Sequence, residues 1–169
     1  MRAIVLSVVL VLLFSCRSKE SATGDHGSEN ARIRNKYAGL MGVSPEEIKN
    51  VKLYKFIDDW YGAPYKYGGK SKTGVDCSGF VSQLYANVYG KTLSGSSASI
   101  HKASEKVSKK NLQEGDLVFF KISSDQVSHI GVYLQNNRFV HASTKRGVVI
   151  NSLQEEYYTK YYYSGGRIP

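Results

Sequence analysis

The central part of the chain alternates hydrophobic and polar positions with a helical period. Apolar residues recur three and four positions apart over residues 53–60, and again over residues 80–88. This spacing is typical of amphipathic helices with one buried face. Ser44 and Glu47 have the spacing of a capping box, so we expect the first helix to begin there. We expect the second helix to begin at Cys77.

The second half of the chain has the pattern of short strands. Apolar segments with turn residues between them predict strands at residues 116–120, 129–134, 138–143 and 148–151. Gln-Asn-Asn at residues 135–137 predicts a hairpin between the second and the third strand. The tyrosine-rich residues 157–163 fit a helix or an edge strand equally well. Helices followed by antiparallel strands predict an α+β fold.

The beginning of the chain has the pattern of an export signal. Arg2 precedes an almost unbroken apolar run over residues 3–14, which is shorter than the roughly 20 residues of a membrane-spanning helix. The run ends at Ser15-Cys16, a junction that resembles a bacterial lipoprotein cleavage box. We therefore expect residues 1–15 to be a lipoprotein signal peptide and Cys16 to be lipidated. A plain secretory signal with an incidental cysteine is the alternative.

The segment after this signal is polar and shows little apolar periodicity. We expect residues 16–43 to form the lipidated cysteine and a flexible tether, with His26 exposed, and residues 44–169 to form the folded domain. Lipid on Cys16 would hold the protein on a membrane of the cell envelope. Arg17 replaces the aspartate associated with inner-membrane retention, which favours the periplasmic face of the outer membrane.

Composition excludes several functional classes without selecting one. The 169 residues, 41% of them hydrophobic, suffice for one domain with a core, and the two cysteines exclude a disulfide framework. The net charge of +9 favours anionic surroundings. Nucleic acid is disfavoured because the charge is spread along a chain expected to be exported. No zinc-type spacing or phosphate-binding loop is present, so we expect neither a metal nor another cofactor.

Cys77 is a candidate nucleophile because of its expected place at the start of a helix. A helix N-terminus carries partial positive charge and free N–H groups. Both stabilise a thiolate, and the N–H groups can also hold an oxyanion. The sequence therefore predicts a lowered pKa for this thiol. A buried structural cysteine is the alternative.

His129 and His141 are candidates for a base and for the group that orients it, because they lie on neighbouring predicted strands. A loop of odd length centred on Gln135 would set them opposite each other on one face, whereas a two-residue turn would put them on opposite faces. We prefer the first arrangement. A strand-edge residue and a core residue are the respective alternatives. His101 lies among polar residues, and we expect it on the surface.

Five segments together resemble the NlpC/p60 family of cell-wall cysteine peptidases, especially its short lipoprotein members. They are residues 65–69 (YKYGG), 76–81 (DCSGFV), 111–120, 128–133 (SHIGVY) and 136–143 (NNRFVHAS). The resemblance covers about residues 50–165. It implies a papain-like fold, in which a helix that begins with the nucleophile packs on an antiparallel sheet. It also implies hydrolysis of peptide bonds in peptidoglycan stem peptides or cross-links.

The resemblance also assigns roles to the candidate residues. Cys77 matches the nucleophile, His129 the general base and His141 the third residue, which orients the base. Peptidoglycan is then the expected partner. A catalytically inactive, peptidoglycan-binding lipoprotein with the same fold is the alternative function.

Three further residues match positions in the cleft of the family. Tyr65 corresponds to a tyrosine that assists the oxyanion or contacts substrate, and a packed aromatic residue is the alternative. Asp76 and Ser78 match positions that hold the free amino end of a substrate in some relatives. For Asp76, a helix cap is the alternative.

Overall fold

The computed structural model describes residues 23–169 of the chain. The signal peptide expected at residues 1–15 and the lipidation expected at Cys16 lie outside this part. The helices are α1 Thr23–Met41, α2 Val51–Trp60, α3 Cys77–Leu84, α4 Ser97–Ala103 and α5 Glu156–Tyr161. The strands are β1 Lys70–Ser71, β2 Gly74–Val75, β3 Glu105–Val107, β4 Leu117–Phe120, β5 His129–Tyr133, β6 Arg138–Ser143, β7 Gly147–Ser152 and β8 Tyr162–Arg167.

One antiparallel sheet carries the fold, and helices pack on it. Its strand order is β3-β8-β4-β5-β6-β7, and β1 and β2 form a separate small hairpin. The predicted α+β class is confirmed. α3 packs against β5 and β6, which brings the start of this helix to the middle of the sheet. No helix within residues 23–169 is long and apolar enough to cross a bilayer.

α1 lies where the sequence predicted a flexible tether. Ile33, Tyr37 and Met41 are buried on one side of this helix, and the ring centroids of Tyr37 and Tyr54 are 4.9 Å apart. The tether prediction is therefore wrong for residues 23–41, and the folded domain begins before residue 44. The few apolar positions of α1 recur at helical spacing, but the polar residues between them obscured that pattern.

The first predicted helix is split by a short irregular segment. The N–H of Ser44 donates to Glu47 Oε2 at 2.9 Å, but this pair closes only a 3₁₀ turn at Pro45–Glu47. α2 begins later, where Asn50 Oδ1 accepts the N–H of Leu53 at 3.1 Å. The apolar stripe of the helix was therefore predicted correctly, whereas its start was placed too early.

The hairpin between β5 and β6 has a loop of odd length, as preferred, but centred one residue later than predicted. The N–H of Leu134 donates to the carbonyl of Arg138 at 2.8 Å and closes the loop at residues 135–137. Asn136 and Asn137 adopt φ values of 48° and 60°. Asparagine tolerates this left-handed region better than most residues, which explains the Asn-Asn pair.

The register of this hairpin decides where the two candidate histidines lie. Val132 pairs with Val140, so His129 and His141 are diagonal neighbours rather than direct partners. They share one face of the sheet, as predicted. The alternating aliphatic residues of the two strands point to the other face and join the main core.

The tyrosine-rich end of the chain is both a helix and a strand. α5 ends at Tyr161, and β8 follows at once between β3 and β4. This strand is therefore interior, and the prediction of an edge strand is wrong. Glycines allow β8 to lie close to its neighbours, because a Cβ at Gly166 would lie 2.4 Å from Ser104 Oγ and 2.7 Å from the ring of Phe119.

Candidate active site

The start of α3 is fixed by a helix cap and by contact with the preceding glycine loop. Asp76 Oδ1 accepts the N–H of Gly79 at 2.6 Å, which satisfies one of the free amides of the first turn. A Cβ at Gly79 would lie 2.3 Å from the carbonyl oxygen of Gly69, so only glycine permits this approach. The prediction that a helix begins at Cys77 is confirmed.

Asp76 and Ser78 bind each other and the loop. The hydroxyl of Ser78 donates to Asp76 Oδ1 at 3.0 Å, and the N–H of Gly68 donates to Asp76 Oδ2 at 2.8 Å. Both carboxylate oxygens of Asp76 thus have partners within the protein, as its helix-cap alternative requires. A contact of either residue with a substrate amine stays a prediction.

The thiol of Cys77 lies almost out of solvent among backbone amides. The residue is 8% exposed, and the amides of Ile130 and Ser78 lie close enough to its sulfur to stabilise a thiolate. Burial raises the pKa of Cys77 to about 11, because the desolvation of a thiolate outweighs the stabilisation by these amides. The lowered pKa expected from the helix N-terminus is therefore wrong for the free protein, in which the sulfur rests as a neutral thiol.

His129 and His141 form a buried pair on β5 and β6, the two strands against which α3 packs. The distance from His129 Nε2 to His141 Nδ1 is 2.8 Å, and the two rings are nearly perpendicular. Burial lowers the pKa of His129 to about 3 and the pKa of His141 to about 4, since a charged imidazole would lose its hydration. Both rings are neutral at neutral pH. Nδ1 of His129 is the ring nitrogen left for proton exchange.

A series of polar contacts continues from His141, on the side away from His129. Asn151 Oδ1 and the hydroxyl oxygen of Tyr158 each lie 3.1 Å from His141 Nε2. Asn151 Nδ2 donates to both carboxylate oxygens of Glu155, at 3.0 and 2.8 Å. Neither Asn151, Tyr158 nor Glu155 was predicted from the sequence. The available signal was Asn151 itself, a polar residue at the end of an apolar strand.

His129 lines a cleft of about 600 Å³. Tyr65 is half-buried in its wall beside Cys77, where burial and the neighbouring thiol raise the pKa of its hydroxyl. Tyr67 is 89% exposed at the rim. Apart from Ile122, the rest of the wall is polar or aromatic, and it includes His129, Ser143, Lys145, Arg146, Glu155, Tyr157 and Tyr158.

The remaining histidines lie away from this cleft. His101 is half-buried, with its ring 4.8 Å from that of Phe119 and its Nε2 3.1 Å from Ser164 Oγ, so the expectation of a plain surface residue is wrong. His26 is exposed, as expected. In the described part of the chain, no three His, Cys, Asp or Glu side chains are grouped so that they could hold a metal.

Comparison with known proteins identifies the family that shares this arrangement. The model of the NlpC/P60 family matches residues 62–167, which include α3 and all strands that carry the candidate residues. The chain belongs to the NlpC/P60 family. The helix packed on an antiparallel sheet, which the sequence resemblance implied, is thus the fold of an NlpC/P60 domain.

Relatives of this NlpC/P60 protein extend over nearly its whole length. Murein DD-endopeptidase MepS/Murein LD-carboxypeptidase of Escherichia coli K12 is 35% identical over 176 residues, covering 99% of this chain and 92% of the relative. Probable endopeptidase NlpC of the same organism is 32% identical over 169 residues, covering 99% and 100%. A crystal structure of an NlpC/P60 family protein from Bacillus cereus ATCC 10987 superposes with a TM-score of 0.64 at 30% identity, covering 70% of this chain and 40% of that one.

Proposed function

We propose that this protein is a cysteine peptidase that hydrolyses peptide bonds in peptidoglycan. The observation that carries the proposal is the buried His129–His141 pair on the strands that α3 packs against. His129 lines the cleft together with Tyr65, which neighbours the Cys77 thiol, and the amide of the next residue, Ile130, faces that thiol. The relatives with endopeptidase and carboxypeptidase names support peptide hydrolysis, and the name of the MepS relative supports murein as the substrate.

The first half of the reaction begins from the neutral thiol. As Cys77 Sγ attacks the carbonyl carbon of the scissile bond, its proton passes to His129 Nδ1. The oxyanion of the tetrahedral intermediate accepts hydrogen bonds from the amides at the start of α3, with Tyr65 as a further donor. The imidazolium of His129 then gives its proton to the leaving amine, the C–N bond breaks and a thioester remains on Cys77.

The second half of the reaction returns the enzyme to its starting state. His129 takes a proton from a water molecule, and the resulting hydroxide attacks the thioester carbonyl. When the new intermediate collapses, the carboxylic acid leaves and the proton on His129 returns to the sulfur. No oxidant or reductant is consumed, and His141 holds the ring of His129 in place through both halves.

The cleft suits the charge of a peptidoglycan stem peptide. Such peptides carry free carboxylates, and Lys145 and Arg146 supply cations on one wall. Tyr67 and Tyr157 offer exposed aromatic faces at the rim. We propose that these side chains bind the stem peptide on either side of the bond that Cys77 attacks.

Digestion of purified peptidoglycan tests the proposed activity. Wild-type protein should release muropeptides that mass spectrometry identifies, and Cys77→Ala should release none while still sedimenting with the murein. Undiminished release by Cys77→Ala would remove the nucleophile assignment. Sedimentation of the wild type without any release would show the alternative function, a binding protein.

We also propose that lipid on Cys16 anchors the enzyme to the periplasmic face of the outer membrane. Because α1 begins at Thr23, residues 17–22 can span at most about 20 Å even when fully extended. The folded domain would then work close to the membrane. Metabolic labelling with a fatty acid should mark the wild type but not Cys16→Ser, and the labelled protein should fractionate with outer membranes.

A further inference from the structure

We propose that Glu155 and Asn151 are positioning residues that fix which nitrogen of each histidine carries a proton. This inference rests on the proposed cysteine peptidase function and deepens it. Neutral histidine exists in two tautomers, and only a bare Nδ1 on His129 can accept the proton of the Cys77 thiol. The polar contacts behind the histidine pair select that tautomer.

The amide of Asn151 is held in one orientation by its two charged neighbours. A carboxylate only accepts hydrogen bonds, so the NH₂ group of Asn151 faces Glu155, at 3.0 and 2.8 Å. A guanidinium only donates, and Arg146 donates to Asn151 Oδ1 at 2.9 Å. Both neighbours therefore require the same orientation, with Oδ1 toward His141.

This orientation determines the tautomer of His141. Asn151 Oδ1 can only accept, and it lies 3.1 Å from His141 Nε2, so this nitrogen carries the proton. A bare Nε2 would set two lone pairs against each other in an environment where His141 is 1% exposed. The hydroxyl of Tyr158, also 3.1 Å from Nε2, accommodates this tautomer because its oxygen can accept.

The tautomer of His141 in turn determines the tautomer of His129, the proposed base. With its proton on Nε2, neutral His141 presents a bare Nδ1, so His129 Nε2 must donate across the 2.8 Å contact. His129 Nδ1 is then left with a lone pair. In the opposite tautomer, Nδ1 would carry a proton and could not take one from Cys77.

Glu155 is itself held firmly enough to direct this chain of contacts. Its Oε1 accepts the N–H of Ser152 at 2.7 Å, in addition to the bond from Asn151. It occupies the N-cap position of α5 and reaches the wall of the cleft. A charge at the surface of the cleft thereby sets the proton position on a base that is itself buried.

Nitrogen-15 NMR on the full-length chain with labelled histidine reads the tautomers directly. In the wild type, we expect both His129 and His141 to carry their proton on Nε2. Glu155→Lys replaces an acceptor by a group that only donates, so the amide of Asn151 should turn, the exposed Arg146 side chain should leave Oδ1 for solvent, and both histidines should move their proton to Nδ1. We expect kcat on muropeptides to fall roughly 100-fold or more, with KM little changed. Glu156→Lys makes the same charge change one residue along, at an exposed position, and should alter neither readout.

Two more variants keep the test decisive if Glu155→Lys does not fold. Glu155→Gln offers Asn151 one donor and one acceptor, so both tautomers should be populated and kcat should fall about twofold, in proportion to the fraction with a bare His129 Nδ1. The double variant N151D/E155Q exchanges the amide and the carboxylate. It should restore the Nε2–H tautomers and most of kcat, because the carboxylate at position 151 again accepts from His141.

The tautomer readout separates this inference from the proposed function. Proton on Nδ1 of His129 in the wild type, or unchanged tautomers in Glu155→Lys and Glu155→Gln, would overturn the role of Glu155 whatever the activity. The expected tautomers in a wild type that hydrolyses no murein would support the inference about the histidines and overturn the hydrolase.

Discussion

The thiol of Cys77 rests neutral because two opposing effects act on it and one is larger. The amides of Ile130 and Ser78 favour a thiolate, but burial removes the water that would solvate it, and the pKa rises to about 11. His129, the proposed base, is also neutral, since burial lowers its pKa to about 3. In the proposed reaction, proton transfer would therefore accompany the attack on the substrate rather than precede it.

A pH series of alkylation tests this resting state. In a Cys16→Ser background, the rate at which iodoacetamide modifies Cys77 should be slow at pH 6 and rise about tenfold per pH unit toward the pKa near 11, because only the thiolate reacts. Mass spectrometry at fixed times gives the rates. A rate that is already constant below pH 7 would instead show a thiolate paired with a charged histidine at rest.

Residue-level chemistry was only partly predictable from the sequence. The positions of Cys77, His129 and His141 on their elements followed from local patterns, namely a glycine loop before a helix and polar residues in apolar strands. The sign of the thiol pKa shift did not follow. It depends on how much protein covers the sulfur, and that cover comes from strands distant in the sequence.

The elements show where periodicity is a reliable guide and where it is not. The stripe of α2 and the strands of the hairpin were predicted well, because each buries one face of regular spacing. α1 was missed because its polar residues outnumber its buried ones. Long-range ion pairs such as Arg32 with Asp58 on α2, 3.0 Å apart, satisfy some of these polar groups and are invisible to a local pattern.

Tyr37 provides a test of α1 as part of the folded domain. Its ring is fully buried against Tyr54, so Tyr37→Ala should lower the free energy of unfolding by about 3 kcal/mol. Leu40 on the same helix is 47% exposed, so Leu40→Ala should change the free energy of unfolding by less than about 0.5 kcal/mol. Urea unfolding followed by fluorescence measures both. Equal free energies of unfolding for the two variants would contradict the packing of α1 and support a flexible tether instead.

On the scale of the whole molecule, the site is a polar chain enclosed between two apolar regions. One core lies under the helices, and a smaller cluster of Phe120, Phe139 and Tyr158 lies on the histidine face of the sheet. The rings of Phe139 and His141 stack 4.9 Å apart within it. This enclosure keeps the two histidines uncharged, so the stability of the fold and the protonation state of these histidines are linked.

The linkage predicts a loss of stability in acid. An unfolded histidine binds a proton below about pH 6.5, whereas folding holds the pKa of His141 near 4, so the folded state is favoured above pH 6.5 and loses this advantage as the pH falls. His141 alone should account for about 3 kcal/mol between pH 7 and pH 4. Urea unfolding at several pH values measures the slope.

A variant pair isolates this contribution. His141→Gln removes one of the two buried histidines that titrate and should make the acid limb of the stability curve, the fall below pH 6.5, less steep, with His129 accounting for the part that remains. The stability of this variant at pH 7 will also be lower. His26→Gln changes an exposed histidine and should leave the limb unchanged. An acid limb of equal steepness in His141→Gln would assign the effect to other groups.

The interior position of β8 has a consequence for how the chain reaches its native state. β3 joins the sheet only through β8, and β4 loses one of its two neighbours if β8 is absent. A nascent chain cannot complete this sheet until residues 162–167 have left the ribosome. Partial products that lack β8 would expose an open strand edge and be prone to aggregate, which makes synthesis of β8 the step that commits the sheet to its fold.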